Sequence, residues 1–528
     1  MSHDYIIVGA GSAGCVLAER LSASGKHRVL VVEAGPPDKS FYIHMPKGIG
    51  KLLADPNHCW YYPTEPEPGN GERAETWIRG KTLGGSSSVN GMMYNRGQPE
   101  NYDELEQRGC HGWNWASMLP YFRQLEDHVL GQSDWRGAGG PLHVSLPYQK
   151  DPLHEAMIES GTQLGLQRVQ DLNGPSGTGV VGYFPRTIHR GRRWSAAEAF
   201  LKPAAKRANV SILAGTRVDR LLLEGGKVTG IVCGDTQYRA SREVILSAGA
   251  IASPQLLMLS GIGPADELKP LGIDVAVDAP DVGKHLIEHR VLSMQYRLNK
   301  PISHNKQYQG ARMIWNAAKY LFTRSGVMSA GAYEVGAFVR TNPALSRPDG
   351  QLLLAPYSYD MTEGKLAIEK DNGMAVLAFI LRPDSEGSIS LRSSNPMDVP
   401  LIRPNYLATQ HDRDIAVGLA HYIRRYVAAK PLADYITAET LPGMQAQSDA
   451  DMQNAWNQMG GCGFHTVGTC RMGATGAVLD DRLRVWGVAG LRVVDCSVLP
   501  TMIAGNTNGP IMAIAARAAD LILEDARG

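Results

Sequence analysis

The side chains of this chain best suited to chemistry lie in two glycine-rich stretches and one histidine-centred loop. Tyr5-Ile6-Ile7-Val8 is an apolar run that breaks into Gly9-Ala10-Gly11-Ser12-Ala13-Gly14. Val16, Leu17 and Leu21 follow at helical spacing, and a second apolar run from Val29 to Val32 ends at Glu33-Ala34, with the acid 24 residues after Gly9. Strand, tight turn, helix, strand and acid, in that order, make a dinucleotide-binding unit. Gly9 permits the turn, Gly11 lets backbone approach a pyrophosphate, and Gly14 lets the helix lie on the strand. The helix that opens at Ser12 and Ala13 presents N–H groups and the positive end of its dipole to phosphate. Glu33 is placed to accept from a ribose diol, which argues against a 2′-phosphate and so against NADP. The motif serves FAD and NAD alike.

The second stretch, residues 79–97, reads Arg-Gly-Lys-Thr-Leu-Gly-Gly-Ser-Ser-Ser-Val-Asn-Gly-Met-Met-Tyr-Asn-Arg-Gly. Paired glycines and three serines offer backbone N–H groups and little bulk, suited to wrapping a flat polar ligand. Linkers are flanked by polar residues, whereas this one runs into Val89, Met92, Met93 and Tyr94. The third stretch sets His465 among Gly460, Gly461, Gly463 and Gly468. A histidine is the side chain whose ordinary pKa suits general-base work near neutrality. The neighbouring Cys462 and Cys470 fit no common zinc spacing with it, so no metal site is expected.

These loops need elements to hold them. Strands are expected at 210–214, 217–223, 228–233 and 243–247, with a helix in the SPQLLMLSG segment that follows Ala250. A buried strand is expected at 491–495, and a closing helix over 510–524 with Pro510 at its first position. The first and last elements therefore belong to one discontinuous domain. Residues 291–455 have another texture, with a strand-like run at 375–380 and a polar helix near 411–428.

Gly80 to Asn90, with Tyr94, Gly97 and Asp103, resembles the first signature of the glucose-methanol-choline (GMC) oxidoreductases. Gly249 to Leu257, ending Ser260-Gly261-Ile262-Gly263, is similar to the second, and the stretches around His465 and from Val493 to Pro510 complete the set. The resemblance covers nearly the whole chain, in the family's order. It implies an α/β fold (α+β overall): a Rossmann-like FAD-binding domain with an inserted substrate-binding domain on an antiparallel sheet. The expected boundaries are 1–150, 205–290 and 456–528 for the former, and 151–204 with 291–455 for the latter.

The resemblance further implies FAD-dependent oxidation of a primary alcohol, aliphatic or benzylic, to the aldehyde. His465 takes the hydroxyl proton, flavin N5 takes the hydride, and Asn506 is the catalytic partner of His465. Trp60, Leu83, Gly84, Asn90, Gly91, Met92 and Met93 are expected beside the cofactor, as are Val218, Asp495, Cys496, Asn508 and Pro510, together with the N-terminal motif. Met93, Phe464, His465 and Asn506 are expected against substrate. Some members bind flavin covalently through a histidine just before the position of Asn90; Val89 stands there, so non-covalent FAD is expected. One departure is Gly283-Lys-His-Leu-Ile-Glu-His289, where relatives more often carry Asn, Gln and Asp at 285, 287 and 288; it reads as structural, and His289 is given no role. Arg193 and Ser195 are expected at a domain junction. Electrons pass to a quinone or other acceptor; an oxidase that reduces O2 to H2O2 is the alternative, and a lyase of the same fold a more distant one.

The rest of the chain fits an ordinary globular enzyme. Of 528 residues 43% are hydrophobic and 20% charged, and the formal charge is +1, which gives no bulk field to draw nucleic acid. No apolar run approaches the roughly 20 residues of a membrane span, although peripheral membrane contact is compatible with a quinone-linked enzyme. The N-terminus reads as a first strand rather than a signal peptide. Seven scattered cysteines point to a reducing compartment, with the cytoplasm as default. Nothing in the chain specifies an oligomeric state.

Overall fold

The computed structural model describes residues 3–147, 150–174, 177, 179–360, 367–474 and 476–527. The helices that matter for the site are α1 (Ser12–Ser22), α2 (Gly249–Leu259), α3 (Gly310–Thr323), α4 (Gln410–Val427) and α5 (Asn508–Asp525).

Two sheets frame the molecule. The first runs Val210–Ala214, Val29–Glu33, His3–Val8, Thr236–Leu246, Lys227–Cys233, Arg220–Glu224, with Leu491–Val493 added to the long strand. Residues 29–32 and the C-terminal half of His3–Val8 are apolar and buried on both faces, as a parallel core strand must be. Thr236–Leu246 does two jobs. Its start pairs antiparallel with Lys227–Cys233, and its end pairs parallel with His3–Val8 and Leu491–Val493. The sequence marked only the apolar end, 243–247, because residues 236–242 form a mostly exposed arm held by pairing rather than by burial. α1 packs against α5, so the first and last helices of the chain lie side by side.

The second sheet runs Ile436–Leu441, Arg290–Leu298, Gly373–Ile380, Gly350–Ala355, Val335–Val339, Val180–Tyr183, Gln167–Arg168, antiparallel except at its last pair. α4 packs on one face. On the other, Leu353 stands opposite Leu377 and Val291 opposite Phe379, four side chains from paired positions facing one cavity. Gly461–Cys462 also pairs with Arg290–Leu298 and ties the histidine loop to this sheet.

The closing helix begins at Asn508, two residues before the expected Pro510, which is its third residue. Proline is tolerated there because first-turn N–H groups have no intrahelical acceptor. Among the described residues no helix is long and apolar enough to cross a membrane. All seven cysteines are free thiols.

Candidate active site

A cavity of about 470 Å³ runs between the two sheets, from the β-strand ends of the first to the apolar face of the second. One end is lined by Gly9, Gly11, Ser12, Ala13, Glu33, Ala34 and Val218. Trp60, Asn90, Gly91, Met92, Met93, Asp495, Cys496 and Asn508 continue the wall to Phe464, His465 and Asn506 at the other end. Four expected contact residues do not line it. Gly14 lies under the loop, where a Cβ would sit 2.0 Å from the Gly9 carbonyl oxygen, so its glycine serves helix–strand packing. Gly84 turns the chain at φ 90° and donates its N–H to Ala10, Leu83 donates to Pro36, and Pro510 is buried inside the first turn of α5. These three brace the wall from behind.

The glycine pattern fits a phosphate-bearing ligand. A Cβ on Gly9 would meet Ser247 O at 2.4 Å and one on Gly85 would meet Gly11 at 2.7 Å, so both are excluded by backbone. A Cβ on Gly11 would find only Ser247 O, at 3.9 Å. The protein leaves that space free, and it opens on the cavity. α1 and α5 both begin there without a side-chain cap, and Ser12 Oγ donates to Asn508 Oδ1 at 2.7 Å, joining the two helix starts. Uncapped N–H groups and two dipole ends suit a dinucleotide pyrophosphate and an electron-rich ring. Asn508 therefore links helices rather than capping its own. Glu33 accepts from the Ala10 and Gly35 N–H groups, and burial pushes its carboxyl up to about 7.

At the apolar end, a ladder irregularity exposes the histidine. Arg290 pairs with Cys462 and Ile287 with Val467, leaving two residues between on one strand and four on the other, 463–466. The surplus bulges into the cavity, with Phe464 at φ 63°, a left-handed conformation that costs a bulky side chain. Gly463 is required because a Cβ there would meet His289 Cβ at 2.8 Å.

Glu288, fully buried, holds the bulge. It accepts from the backbone N–H of His465 at 2.6 Å, from Thr466 Oγ at 2.6 Å and from the N–H of His289 at 2.9 Å. Arg79 pairs with it at 3.2 Å and donates to Thr466 Oγ. Burial raises the Glu288 pKa, and the guanidinium with these donors counters the rise. The Glu288 position is thus structural, as the sequence suggested.

The imidazoles form a chain. His289 Nε2 faces the Leu381 carbonyl at 3.2 Å and so carries hydrogen, because a carbonyl only accepts. Its burial lowers its pKa to about 4, which keeps it neutral and leaves Nδ1 bare. His465 Nδ1, 2.9 Å away, therefore donates to it, and His465 Nε2 keeps its lone pair. Asn506 Nδ2 donates to that lone pair at 3.0 Å, its orientation fixed by Asn95 and Gln351, which donate to Asn506 Oδ1. Burial, then His289 and Arg79, hold the His465 pKa well below its usual 6.5.

Arg193, buried, donates to Ser87 O and Asn90 Oδ1, and Asn90 Oδ1 also accepts from the Met92 N–H, which shapes the turn that presents Met93. Arg79, Asn95, His289 and Gln351 contact the site residues and were given no role from the sequence. His289 was legible as a histidine beside an acid, but only the pairing of 290 with 462 shows that it meets His465. Cys470 donates its N–H to Ser497 on another segment and does not join Cys462 and His465. Among the described residues the one cluster with metal-ligand spacing is Asp38, His44 and Glu198, whose carboxylates are already paired with Lys202.

Comparison with known proteins agrees with this architecture. Residues 3–291 match the N-terminal and 383–515 the C-terminal sequence profile of the GMC oxidoreductases. Mitochondrial choline dehydrogenase of Homo sapiens is 41% identical over 98% of this chain and 89% of its own length. An oxygen-dependent choline dehydrogenase of Rhizobium etli is also 41% identical, over 99% and 96%. Pyridoxine 4-oxidase from Mesorbium loti superposes with a TM-score of 0.89 at 33% identity, over 98% of this chain and 99% of that one. Formate oxidase of Aspergillus oryzae gives 0.93 at 26%, over 100% and 99%. The chain is thus an FAD-dependent oxidoreductase of the kind that acts on alcohols, and it belongs to the GMC oxidoreductase family.

Proposed function

We propose that this enzyme oxidises an apolar primary alcohol, aliphatic or benzylic, to its aldehyde, with His465 as the base. The observation that carries the substrate class is the composition of the chamber beside His465. Met93, Val291, Ala332, Leu353, Leu377 and Phe379 wall it with hydrocarbon. Among the described residues the acids that line the cavity are Glu33, Asp398 and Asp495, and each is engaged elsewhere. Glu33 and Asp495 accept from backbone N–H groups of the first domain, and Asp398 from Ser393 and Asn395. Among the described residues no unengaged carboxylate faces a cationic headgroup there, which makes its desolvation expensive.

FAD, when bound, supplies the two-electron acceptor for the carbinol C–H. The chain's part is to hold the hydroxyl and take its proton. A substrate oxygen that enters between Asn506 Nδ2 and His465 Nε2 accepts from the amide and gives its proton to the bare nitrogen. The resulting imidazolium keeps its Nδ1–H on His289, so the ring is held in one orientation throughout. The lining by Gly9, Gly11, Ser12, Glu33, Ala34, Trp60, Val218, Asn90 to Met93, Asp495, Cys496 and Asn508 supports the reading that these residues hold the cofactor non-covalently, with Val89 offering no nucleophile. We assign the electrons to a quinone or similar acceptor, and the seven free thiols favour a reducing compartment, the cytoplasm by default.

The test is a comparison of kcat/KM for hexan-1-ol, benzyl alcohol and choline with a dye acceptor. The apolar alcohols should lead choline by at least tenfold. Choline ahead of both would replace the substrate class by that of the choline dehydrogenase relatives.

A further inference from the structure

α3 is an amphipathic helix turned outward. Of its residues only Tyr320 is buried, while Ile314 is 69% exposed, Trp315 69%, Leu321 55% and Phe322 89%. At about 100° per residue these four, with Ala311 and Ala318, fall within an arc of about 120°. Arg312 and Lys319 border that arc. Exposed Phe41 and Tyr42 lie against the opposite, buried side of the helix, the Phe41 ring 6.1 Å from the Tyr320 ring. An apolar stripe of this size on one element marks a surface meant to be covered.

The charge around it says by what. From Asn299 to Tyr333 the chain carries Lys300, Lys306, Arg312, Lys319 and Arg324 and no Asp or Glu; from Lys39 to Ala54 it carries Lys39, Lys47 and Lys51 and again no acid. Over a molecule of net charge +1 these are two locally basic stretches, bounded by Asp38, Asp55 and Glu334, and Arg312 and Lys319 form the collar on the helix itself. A second copy docked by two-fold symmetry would set the collar against itself. Trp and Phe framed by Lys and Arg on one helix face match the boundary between acyl chains and anionic headgroups.

We propose that α3 seats this protein on the surface of an anionic lipid bilayer through its exposed apolar stripe. The segment leaving α3 reaches Ala332 and Tyr333, and the segment leaving Phe41–His44 reaches Ile49 and Leu53; all four residues line the cavity. Docking therefore brings the walls of the active-site cavity to the membrane. On the acceptor and substrate reading given above, that is where a lipid-soluble quinone and an apolar alcohol partition.

The test is flotation of the purified full-length holoenzyme with vesicles of phosphatidylcholine alone or with 30 mol% phosphatidylglycerol. The wild type should float with the anionic vesicles, much less with neutral ones, and less again as salt rises. The double variant Trp315→Ser, Phe322→Ser should lose at least tenfold in partitioning, and Arg312→Glu, Lys319→Glu should do the same without loss of bound FAD. No flotation of the wild type, or equal flotation of the variants, would overturn the proposal. So would a wild-type dimer in sedimentation velocity that the Ser double variant converts to monomer, since the stripe would then belong to a second copy. Alcohol bleaching of the flavin in the same variants is independent: its failure with flotation intact counts against the proposed reaction alone.

Discussion

His289 Nδ1 accepts a hydrogen bond from His465 Nδ1 at 2.9 Å, and His289 is itself held by the Leu381 carbonyl. A neutral imidazole backed by a carbonyl here does the orienting work that a carboxylate does in many base dyads. It fixes the tautomer of His465 without placing a negative charge beside it, so the pKa of His465 stays low.

Removal of that acceptor should free the ring. His289→Ala is expected to slow anaerobic flavin reduction by alcohol about ten- to a hundredfold, while His465→Ala loses about 10² to 10⁴, the usual span for a general base. His289→Asn, which keeps an acceptor oxygen, should recover part of the rate. Stopped-flow absorbance with FAD content measured in parallel separates this from loss of fold; an unaltered rate in His289→Ala would remove it from the mechanism.

The pH profile follows from the same geometry. Burial first, then His289 and Arg79, depress the His465 pKa, so Nε2 is bare at neutrality. The reduction rate should be flat through pH 7 and fall only well below 6.5, as protonation takes the base away. In His289→Ala, which opens the site to water and removes a neighbouring titratable ring, the acid limb should move up toward 6.5. A wild-type limb at or above 6.5 contradicts this account.

Much of this was legible before the fold was known. The dinucleotide unit, the strand at 210–214 and a helix near 411–428, observed over 410–427, can be read from local pattern, because glycine spacing and apolar periodicity are local signals, whereas Asn506 is placed only by resemblance to the family. The His289–His465 contact is not local. It depends on the 290/462 register and on a four-against-two bulge, and nothing within a few residues of either histidine encodes that. Asn95 and Gln351 escape notice for the same reason, since each reaches Asn506 from a different sheet or loop.

Glu288 and Arg79 make a stability prediction. The Glu288 side chain is wholly buried and gathers four donors, so Glu288→Gln turns an amide N–H₂ toward them and leaves Arg79 without its counter-ion. Breaking such a pair from one side costs about 3 kcal/mol. The variant should show a lower thermal midpoint and a slower reduction step together, because the His465 amide is released as well. A midpoint equal to wild type in differential scanning calorimetry would deny Glu288 its bracing role.

Two glycines only three residues apart should behave oppositely. Gly11→Ala meets no protein atom closer than 3.9 Å, so the apoprotein should melt as wild type does but bind FAD at least tenfold more weakly. Gly14→Ala drives a methyl to 2.0 Å from the Gly9 carbonyl, so the apoprotein itself should be destabilised or fail to accumulate. Equal FAD affinity in Gly11→Ala would mean that the pyrophosphate lies elsewhere.

The most direct measurement is the anaerobic visible spectrum of the purified protein before and after addition of a series of primary alcohols, followed by air. The account predicts a flavin band that apolar primary alcohols bleach in the wild type and not in His465→Ala, with slow recovery in air because the acceptor is not oxygen. Fast recovery would make the enzyme an oxidase. A flavin band that no alcohol bleaches, or no band even after FAD is supplied, would contradict the central claim.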